Sequence, residues 1–348
     1  MLKRIARKVL SVLDARDYDR SHRHQAERAL RTMREHNGVQ LTPTLRRVAN
    51  AYAAEVLGSR RYAPWLHVYA AVQHRFVEGW LPDNYFGRVV VPNVNNGLRI
   101  TSLKTATNMM LDTPALPDVG YMIDGAIYDR QMTRIDLTTL RAAIDPDVST
   151  VFVKSDASSR GQGVRPIAVA ALTDAALQAC GNCVVQLPIH QHPFFDEIIP
   201  GTLATIRVTT CKEPDGIVRR RAAYLRVGRA NTQWVQSDNS VRIAVTSNDG
   251  DLGDVGFTED WRQWTAHPDS GFVFSGSRIP GFAEASSLCT SLHQKIPHFG
   301  IVGWDVAVNH VGETQIIEWN GGHCDIKFSE ATTGPCFTGL NWSRFHDA

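Results

Sequence analysis

The chain has 348 residues, a formal net charge of +2 at pH 7, and 43% hydrophobic and 21% charged residues. This length suffices for two or three domains with a substantial buried core. No run approaches the roughly 18 apolar residues of a membrane span, and 37 basic against 35 acidic residues do not favour nucleic acid as a partner. The six cysteines do not indicate a disulfide scaffold, so a reduced, cytoplasmic protein is expected.

The first 100 residues show helical periodicity. Residues 1–13 carry apolar side chains on one side and basic ones on the other, Asn37-Gly38 is typical of a helix end, and Thr42-Pro43 of a helix start. Residues 63–80 carry aromatic side chains at helical spacing, which predicts a buried helix. The basic face of residues 1–13 has two interpretations: a solvated surface, or weak peripheral contact with an anionic membrane surface. No apolar block is followed by a small-residue cleavage site, so no signal peptide is predicted.

From Leu81 onward the pattern changes to short strands separated by turns. Residues 88–91 are largely β-branched, which predicts a strand, and a short helix containing Lys104 follows. Asp124-Gly125 is typical of a hairpin turn between two short strands, predicted at 121–123 and 126–128. Further strands are predicted at 151–154, 164–170, 183–187, 202–212, 219–227 and 241–246, and further helices at 138–144, 173–180 and 282–295.

A hairpin near the C-terminus carries the strongest functional signal. Two runs, Ile301–Val308 and 314–319, are rich in β-branched and aromatic residues, with Gly312 in the turn between them. Asp305, Glu318 and Asn320 fall on one face because side chains alternate along a strand. Two carboxylates and an amide oxygen suit Mg²⁺ that holds the phosphates of a nucleotide. The alternative is that Asp305 and Glu318 are ordinary exposed residues of a hairpin.

A polar loop between two predicted strands is a second candidate element. Lys154 ends the first strand, and the loop that follows lacks the GxxxxGK[ST] pattern and the helix of a Walker A motif. Backbone N–H groups and hydroxyls of such a loop can fold over phosphates, and Lys154 would contact an α- or β-phosphate. An ordinary surface hairpin is the alternative. The candidate loop residues are Ser158, Ser159, Gly161 and Gly163.

An apolar strand that ends in polar residues is the candidate adenine site. Backbone groups at Leu187 and Ile189 would contact the edge of the base, with Gln186 near the exocyclic amine and Gln191 or His192 near the ribose. A core strand followed by a polar loop explains the same pattern.

Two arginines stand among β-branched and aromatic residues of later strands: Arg207 and Arg226. Alternation places Arg207 on the same face as Thr205 and Thr209, which is polar enough to line a cleft.

Taken together, these residues occur in the order found in the ATP-grasp superfamily. The sequence motifs around them most resemble those of its sugar-transfer-associated group. The resemblance covers residues from Trp80 to the C-terminus. The motifs that carry it are VFVKSDASSRGQGV, VVQLPIHQHP, TLATIRVTT, HPDSG and GWDVAV…IIEWN. The sequence departs from the family pattern at two places where an acceptor substrate should bind. After Asp238-Asn239 it has Ser-Val-Arg-Ile, where a paired glycine is expected. Residues 321–325, after the metal strand, read Gly-Gly-His-Cys-Asp.

The resemblance implies an α+β fold in which two α+β subdomains clamp ATP behind a mostly helical N-terminal domain. The expected boundaries are 1–100 for the helical region, 101–185 for the lid subdomain and 186–348 for the subdomain with the metal hairpin. ATP would bind at Lys104, Lys154, the loop and the strand end, and Asp305, Glu318 and Asn320 would hold Mg²⁺. The loop from Ser158 to Gly163 would act as a lid, and Arg207 and Arg226 would be catalytic.

The implied activity is a carboxylate–amine ligase that forms ADP. The γ-phosphoryl group would pass to a small-molecule carboxylate, and an amine would attack the resulting acylphosphate; a role in polysaccharide, sugar-conjugate or secondary-metabolite biosynthesis is expected. Two alternatives stay open at this point. One is a kinase of the same fold that phosphorylates a hydroxyl, and the other is a nucleotide-binding accessory protein of polysaccharide assembly.

Overall fold

The computed structural model describes residues 2–156, 158, 163–230 and 239–347. Its α-helices are α1 (Leu2–His36), α2 (Pro43–Glu55), α3 (Ala63–Gln73), α4 (Asp83–Tyr85), α5 (Val91–Val94), α6 (Thr107–Leu111), α7 (Leu137–Ala142), α8 (Asp174–Gln178), α9 (Pro193–Ile198), α10 (Phe282–Gln294) and α11 (Lys327–Thr332). Its strands are β1 (Asp118–Ile123), β2 (Ala126–Asp129), β3 (Arg134–Ile135), β4 (Thr150–Ser155), β5 (Val164–Ala168), β6 (Cys183–Gln186), β7 (Thr205–Lys212), β8 (Val218–Gly228), β9 (Ser240–Val245), β10 (Leu252–Thr258), β11 (Gln263–Trp264), β12 (Ile301–Val308) and β13 (Thr314–Asn320).

The strands form two antiparallel sheets. The first has the order β3-β2-β1-β6-β4-β5, and the second has the order β11-β10-β9-β8-β7-β12-β13. In β4, Val151 and Val153 are buried in the core of the first sheet. Because side chains alternate along a strand, Lys154 points to the opposite face, away from that core. The first sheet therefore presents a charged residue on the face that its core does not use.

The second sheet is covered on both faces, by different parts of the chain. Trp304 and Trp319 pack in one core together with Phe282 of α10. The other face contributes Tyr224 and other side chains to a core that includes the aromatic residues of α3. Asp305 and Glu318 alternate with the two tryptophans, so they lie on the face toward the helical region.

Local signals explain how the helical region begins and ends its helices. The Thr42 side chain accepts a hydrogen bond from the Leu45 N–H at 3.2 Å and caps α2. Gly38 has φ 69°, a left-handed conformation that favours glycine and prevents α1 from continuing. The predicted ends at Asn37-Gly38 and Thr42-Pro43 are therefore confirmed.

A buried amide joins the helical region to the C-terminal hairpin. Asn95 follows α5, and its Nδ2 donates to the carbonyl oxygens of Ile301 at 2.9 Å and Gly321 at 2.6 Å. Its Oδ1 accepts the N–H groups of Gly300 at 2.8 Å and Ile301 at 3.0 Å. All four hydrogen bonds of the Asn95 side chain are made to backbone groups that lie at the start of β12 or just after the end of β13. One side chain thus sets the position of both strands.

Two predictions for the first 100 residues are wrong. Residues 88–91, predicted as a strand, continue a helical segment through α5, where Val90 and Val91 are buried against the helical core and Arg88 bonds Asp19 at 2.8 Å. Tertiary packing here outweighs the β-propensity of the run. The helix predicted at 63–80 ends at Gln73, because His74 takes a left-handed conformation with φ 55°.

Most of the later predictions are confirmed, with ends that differ by at most three residues. They are the strands predicted within 121–128, 151–170, 183–187 and 202–246, and the helices predicted at 138–144, 173–180 and 282–295. Elements without a prediction include β3, β10, β11, α4, α9 and α11. The domain boundaries 1–100, 101–185 and 186–348 stay a prediction.

Within the described part of the chain, no helix combines the length and the apolar character needed to cross a membrane. The predicted membrane contact of residues 1–13 depends on side chains that lie outside the described ones.

Candidate functional site

The register of the C-terminal hairpin places the three candidate metal ligands on one face. Asp305 of β12 lies directly opposite Glu318 of β13, and Gly303 lies opposite Asn320. Glu318 and Asn320 are two residues apart, so their side chains share a face with that of Asp305. The structure therefore brings together the residues that the sequence assigned to one site, and their role as metal ligands stays a prediction.

Arg207 extends this row onto a third strand. Arg207 of β7 lies opposite Asp305, and its Nε and Nη2 donate to the two carboxylate oxygens at 2.7 and 2.8 Å. Its Nη1 donates to the Cys324 carbonyl at 2.8 Å. Both side chains are buried, so the pair is a bidentate ion pair in a medium of low polarity. Three of the five guanidinium N–H donors are used in these contacts.

The ion pair fixes the charge state of Asp305. Burial, the largest single influence, raises the pKa of this carboxyl, but the guanidinium groups of Arg207 and Arg226 more than offset it, and the net pKa is lowered. The pKa of Arg207 is raised well above its ordinary value, because the attraction of Asp305 outweighs its burial. Asp305 is therefore an anion across the neutral pH range, as a metal ligand must be.

Glu318 has a different environment. Burial and the nearby negative charge of Asp305 raise its pKa, against the attraction of Lys104 and Lys154. Burial lowers the pKa of Lys154, against the attraction of Glu318 and Asp118. These groups face one another across a cleft between the two sheets, where a bound cation would stabilise the Glu318 anion. The cleft is lined by Thr101, Lys104, Thr107, Leu116, Asp118, Lys154, Val184, Gln186, Ile317, Glu318 and Trp319.

The base of the predicted phosphate loop is tied to the segment that carries Lys104. The Lys104 ammonium donates to the Ser158 carbonyl at 2.9 Å and contacts its hydroxyl at 3.2 Å. A Cβ at Gly163 would lie 2.2 Å from the Ser158 Oγ, so this position has no room for a side chain. Ser159 and Gly161 of the predicted loop, and Asp238 of the later departure, lie outside the described residues.

Gln186 reaches the cleft, but its amide already has a partner. Its Nε2 donates to Asp118 Oδ1 at 2.7 Å, and the Tyr121 hydroxyl donates to the other oxygen at 2.8 Å. Burial raises the pKa of Asp118 despite these two bonds. Sequence reasoning missed Asp118, and its only signal is a carboxylate next to the strand predicted at 121–123. Leu187 and Ile189 are half-buried beyond the end of β6.

Gln191 and His192 are used by the protein itself. The Gln191 amide donates to Asp196 at 2.7 Å and accepts the Ala204 N–H at 2.7 Å. The His192 Nδ1 accepts the Phe194 N–H at 3.2 Å and caps α9. Neither residue lines the cleft between the sheets. Their predicted contact with a ribose stays untested, and these bonds favour a structural role.

Arg226 is a buried guanidinium on the same sheet face as Arg207 and Asp305. It lies opposite Thr205 and Arg242, on the same face as Arg207, and is 8% exposed. Its Nη2 contacts the Tyr224 hydroxyl at 3.1 Å and its guanidinium lies over the ring of that tyrosine, 5.7 Å from the centroid. Its Nε is buried with no hydrogen-bond partner among the described residues. A buried N–H without a partner is a place where a ligand anion would be stabilised.

The donor set fits Mg²⁺. Asp305 and Glu318 supply carboxylate oxygens, and the Asn320 Nδ2 is buried without a hydrogen-bond partner in the ranges described. Rotation of that amide by half a turn would present its oxygen instead. The described ranges contain no group of three or more His, Cys, Asp or Glu arranged to hold a metal ion. A site here would thus depend on the amide and on phosphate oxygens, which is how Mg²⁺ is commonly bound.

Two antiparallel sheets face one cleft, with Glu318 of the C-terminal hairpin on one side, Lys154 of β4 on the other and Lys104 on the segment before α6, as the resemblance to the ATP-grasp superfamily implies. The sequence profile described as sugar-transfer associated ATP-grasp matches residues 128–339, and the chain belongs to this family. No curated protein sequence matches it.

Several solved structures resemble the chain at low sequence identity. The biotin carboxylase domain of Hydrogenobacter thermophilus 2-oxoglutarate carboxylase is 14% identical with a TM-score of 0.41, over 71% of this chain and 45% of that one. The N5-carboxyaminoimidazole synthetase of Staphylococcus aureus is 12% identical with a TM-score of 0.38, over 65% and 46%. The D-alanyl-alanine synthetase A of Vibrio cholerae is 10% identical with a TM-score of 0.41, over 73% and 68%. The chain spans about half the length of the first two structures.

Proposed function

We propose that the protein is an ATP- and Mg²⁺-dependent carboxylate–amine ligase that forms an amide through an acylphosphate and releases ADP. The observation that carries this proposal is the row Arg207–Asp305–Glu318 on three adjacent strands, whose last member, Glu318, lines one cleft together with Lys104 and Lys154. Anionic and cationic groups on opposite walls suit a polyphosphate neutralised from one side by lysine and from the other by a metal ion. The biosynthetic setting proposed is that of sugar conjugates, polysaccharides or secondary metabolites.

ATP would bind with its phosphates near Lys104, Lys154 and the loop base at Ser158 and Gly163. Its adenine would lie toward the end of β6, at Gln186, Leu187 and Ile189. Asp305, Glu318 and Asn320 would hold Mg²⁺, which when bound neutralises the β- and γ-phosphates. The protein's share of such a transfer is positioning and charge neutralisation rather than a nucleophile of its own.

The two arginines have separable roles in this proposal. Arg207 is held by Asp305 and Cys324, so it orients the metal ligand and has two N–H donors left for the transferred phosphoryl group. Arg226 has a buried, unpartnered Nε and lies against an aromatic ring instead of a carboxylate. A guanidinium in this state favours a carboxylate substrate over a neutral hydroxyl. This favours the ligase over the kinase.

Hydroxylamine tests the reaction, because it converts an acylphosphate to a hydroxamate. The purified protein is incubated with ATP, Mg²⁺, hydroxylamine and a pool of amino acids, sugars and uronic acids, and products are identified by mass spectrometry. We expect hydroxamate and ADP in equal amounts from one carboxylate of the pool, and neither from Glu318→Gln. Glu284→Gln, an exposed carboxylate on α10, is the matched control and should behave as the wild type. A product that keeps the phosphate, with no hydroxamate, would establish the kinase instead.

A further inference from the structure

Two reciprocal contacts join the segment before α6 to the loop that follows β4. The Thr105 N–H donates to Asp156 Oδ1 at 3.0 Å, and the Thr105 hydroxyl donates to Asp156 Oδ2 at 2.8 Å. In the other direction, the Lys104 ammonium donates to the Ser158 carbonyl at 2.9 Å and to its hydroxyl oxygen at 3.2 Å. Each of the two charged side chains thus binds neutral groups of the opposite segment.

The bond to Asp156 satisfies a backbone group that the local structure leaves without an acceptor. Thr105 lies in a single 3₁₀ turn, Lys104–Ala106, and the first N–H groups of such a turn have no carbonyl partner within it. Thr105 is 6% exposed, so water has little access to this N–H. A carboxylate that accepts both the N–H and the hydroxyl of one residue fixes the orientation of the turn. Because Lys104 precedes Thr105, Asp156 determines where the Lys104 side chain begins.

Asp156 itself is held by the first sheet. Its backbone N–H donates to the Asn182 carbonyl at 2.8 Å, and Ser155, the residue before it, pairs with Cys183 of β6. The Asn182 side chain in turn accepts the Asp124 N–H at 2.9 Å. The carboxylate therefore extends from the hydrogen-bonded end of a strand, which suits a residue that positions another.

The contacts leave the charge of Lys104 available to a ligand. Both of its acceptors on Ser158 are neutral, and a lysine ammonium has three N–H donors, so one donor remains. The Ser158 hydroxyl donates its own proton to the Ser155 carbonyl at 2.7 Å, so its oxygen is the acceptor toward Lys104. Lys104 lines the cleft together with Lys154 and Glu318. Its position in the cleft is thus set by the turn that Asp156 holds.

We propose that Asp156 is a positioning residue of the nucleotide site: through Thr105 it places the Lys104 ammonium where it meets the phosphates of ATP. This inference rests on the proposed function, in which Lys104 binds those phosphates. The contribution of Asp156 is geometric rather than electrostatic. A carboxylate directed at the phosphates would repel them, whereas both oxygens of Asp156 are bonded to Thr105.

The affinity for ATP in the presence of Mg²⁺, measured by calorimetry, tests the proposal. We expect Asp156→Ala to bind ATP about three- to tenfold more weakly than the wild type, the range for one or two lost hydrogen bonds. Lys104→Ala should lose about tenfold or more, because it removes the charged group itself. Asp147→Ala, which changes an exposed carboxylate before β4, is the matched control and should bind ATP as the wild type does.

A double variant separates positioning from general damage to the fold. Since Asp156 acts through the Lys104 ammonium, Lys104→Ala/Asp156→Ala should bind ATP within about twofold of Lys104→Ala alone, whereas independent losses would multiply. Thermal unfolding without nucleotide shows whether each variant is folded. Where Asp156→Ala does not fold, Thr105→Val and Lys104→Ala/Thr105→Val give the same comparison, because valine keeps the shape of the side chain and removes the hydroxyl.

Asp156→Asn keeps the geometry and removes the charge. Its Oδ1 can accept the Thr105 N–H and its Nδ2 can donate to the Thr105 hydroxyl, since a hydroxyl both donates and accepts. We therefore expect Asp156→Asn to bind ATP within about twofold of the wild type. Thr105→Ser keeps both bonds and should do the same.

Three results would overturn the proposal while leaving the nucleotide site in place. They are full ATP affinity in Asp156→Ala, losses that multiply in the double variant, and an Asp156→Asn variant as weak as Asp156→Ala. A wild-type protein that does not bind ATP with Mg²⁺ would instead remove the proposed function and this inference together.

Discussion

The buried pair of Arg207 and Asp305 leads to a prediction that separates stability from activity. Asp305→Asn keeps the shape of the side chain, but its amide N–H₂ would face a guanidinium N–H, donor against donor, where the carboxylate accepts at 2.7 and 2.8 Å. The side chains of Arg207 and Asp305 are 8% and 12% exposed, so water cannot replace the lost acceptor. Removing one partner of a buried ion pair lowers the free energy of unfolding by about 3–5 kcal/mol.

Glu318→Gln is the matched comparison on the neighbouring strand. Burial and the charge of Asp305 raise the pKa of Glu318, so the ionised carboxylate destabilises the folded protein at neutral pH. The neutral amide of Glu318→Gln should therefore leave the free energy of unfolding unchanged or increase it. Both variants should lose Mg²⁺- and ATP-dependent turnover. The two effects therefore divide: one variant is inactive and unstable, the other inactive and stable.

Urea unfolding at pH 7.5, followed by fluorescence and circular dichroism, measures the difference. The free energies are comparable only where the two probes coincide and the urea dependence is unchanged. An Asp305→Asn variant within about 1 kcal/mol of the wild type would refute the reasoning, since a buried guanidinium without its carboxylate must be destabilising. So would a Glu318→Gln variant that is as unstable as Asp305→Asn.

Three further predictions concern other parts of the molecule. Lys154→Ala should weaken ATP binding in the presence of Mg²⁺ by about tenfold or more, because a charged contact contributes roughly 1.5–3 kcal/mol; calorimetry that finds equal affinity would contradict its place at the phosphates. Burial lowers the pKa of His293 from 6.5 to about 4, so its contribution to stability is complete above pH 6.5 and lost as pH falls toward 4, roughly 3 kcal/mol in all. His293→Gln should flatten the pH dependence of unfolding in that window, and an unchanged slope would show that other groups cause it. A Cβ at Gly87 would lie 2.3 Å from the Tyr18 hydroxyl and 2.7 Å from His323 Cδ2, so Gly87→Ala should lower the free energy of unfolding by about 1–3 kcal/mol, the usual range for overpacking. Thermal unfolding measures this, and an unaltered midpoint would contradict it.

The hairpin at β12 and β13 could be predicted from the sequence because its information is local. β-branched residues and a glycine in the turn define two strands, and alternation assigns Asp305 and Glu318 to one face before any tertiary contact is known. The order of Lys104, Lys154 and the hairpin then indicated the family, which the profile match confirms.

The contacts that act on these residues are long-range and have no local signal. The pairing of Arg207 with Asp305 depends on the register of β7 against β12, which strand patterns do not specify across 98 positions. Residues 88–91 are helical because Val90 and Val91 pack in the core of the helical region. This packing outweighs the β-strand propensity of the four residues.

Asn95 joins the helical region to the C-terminal hairpin, and we expect the two to unfold as one cooperative unit. Its amide bonds the backbone of Gly300, Ile301 and Gly321, so undocking of the helical region would break all four of these hydrogen bonds at the strand ends. The amide hydrogens of Gly300 and Ile301 should therefore exchange with solvent at the rate at which that region detaches, rather than by fraying of the hairpin. A chain shortened to start at residue 96 would keep every residue of the hairpin, and we expect it to lose the order of the hairpin's two ends. The helical region, through Asn95, therefore holds the ends of two strands that lie more than 200 residues further along the chain.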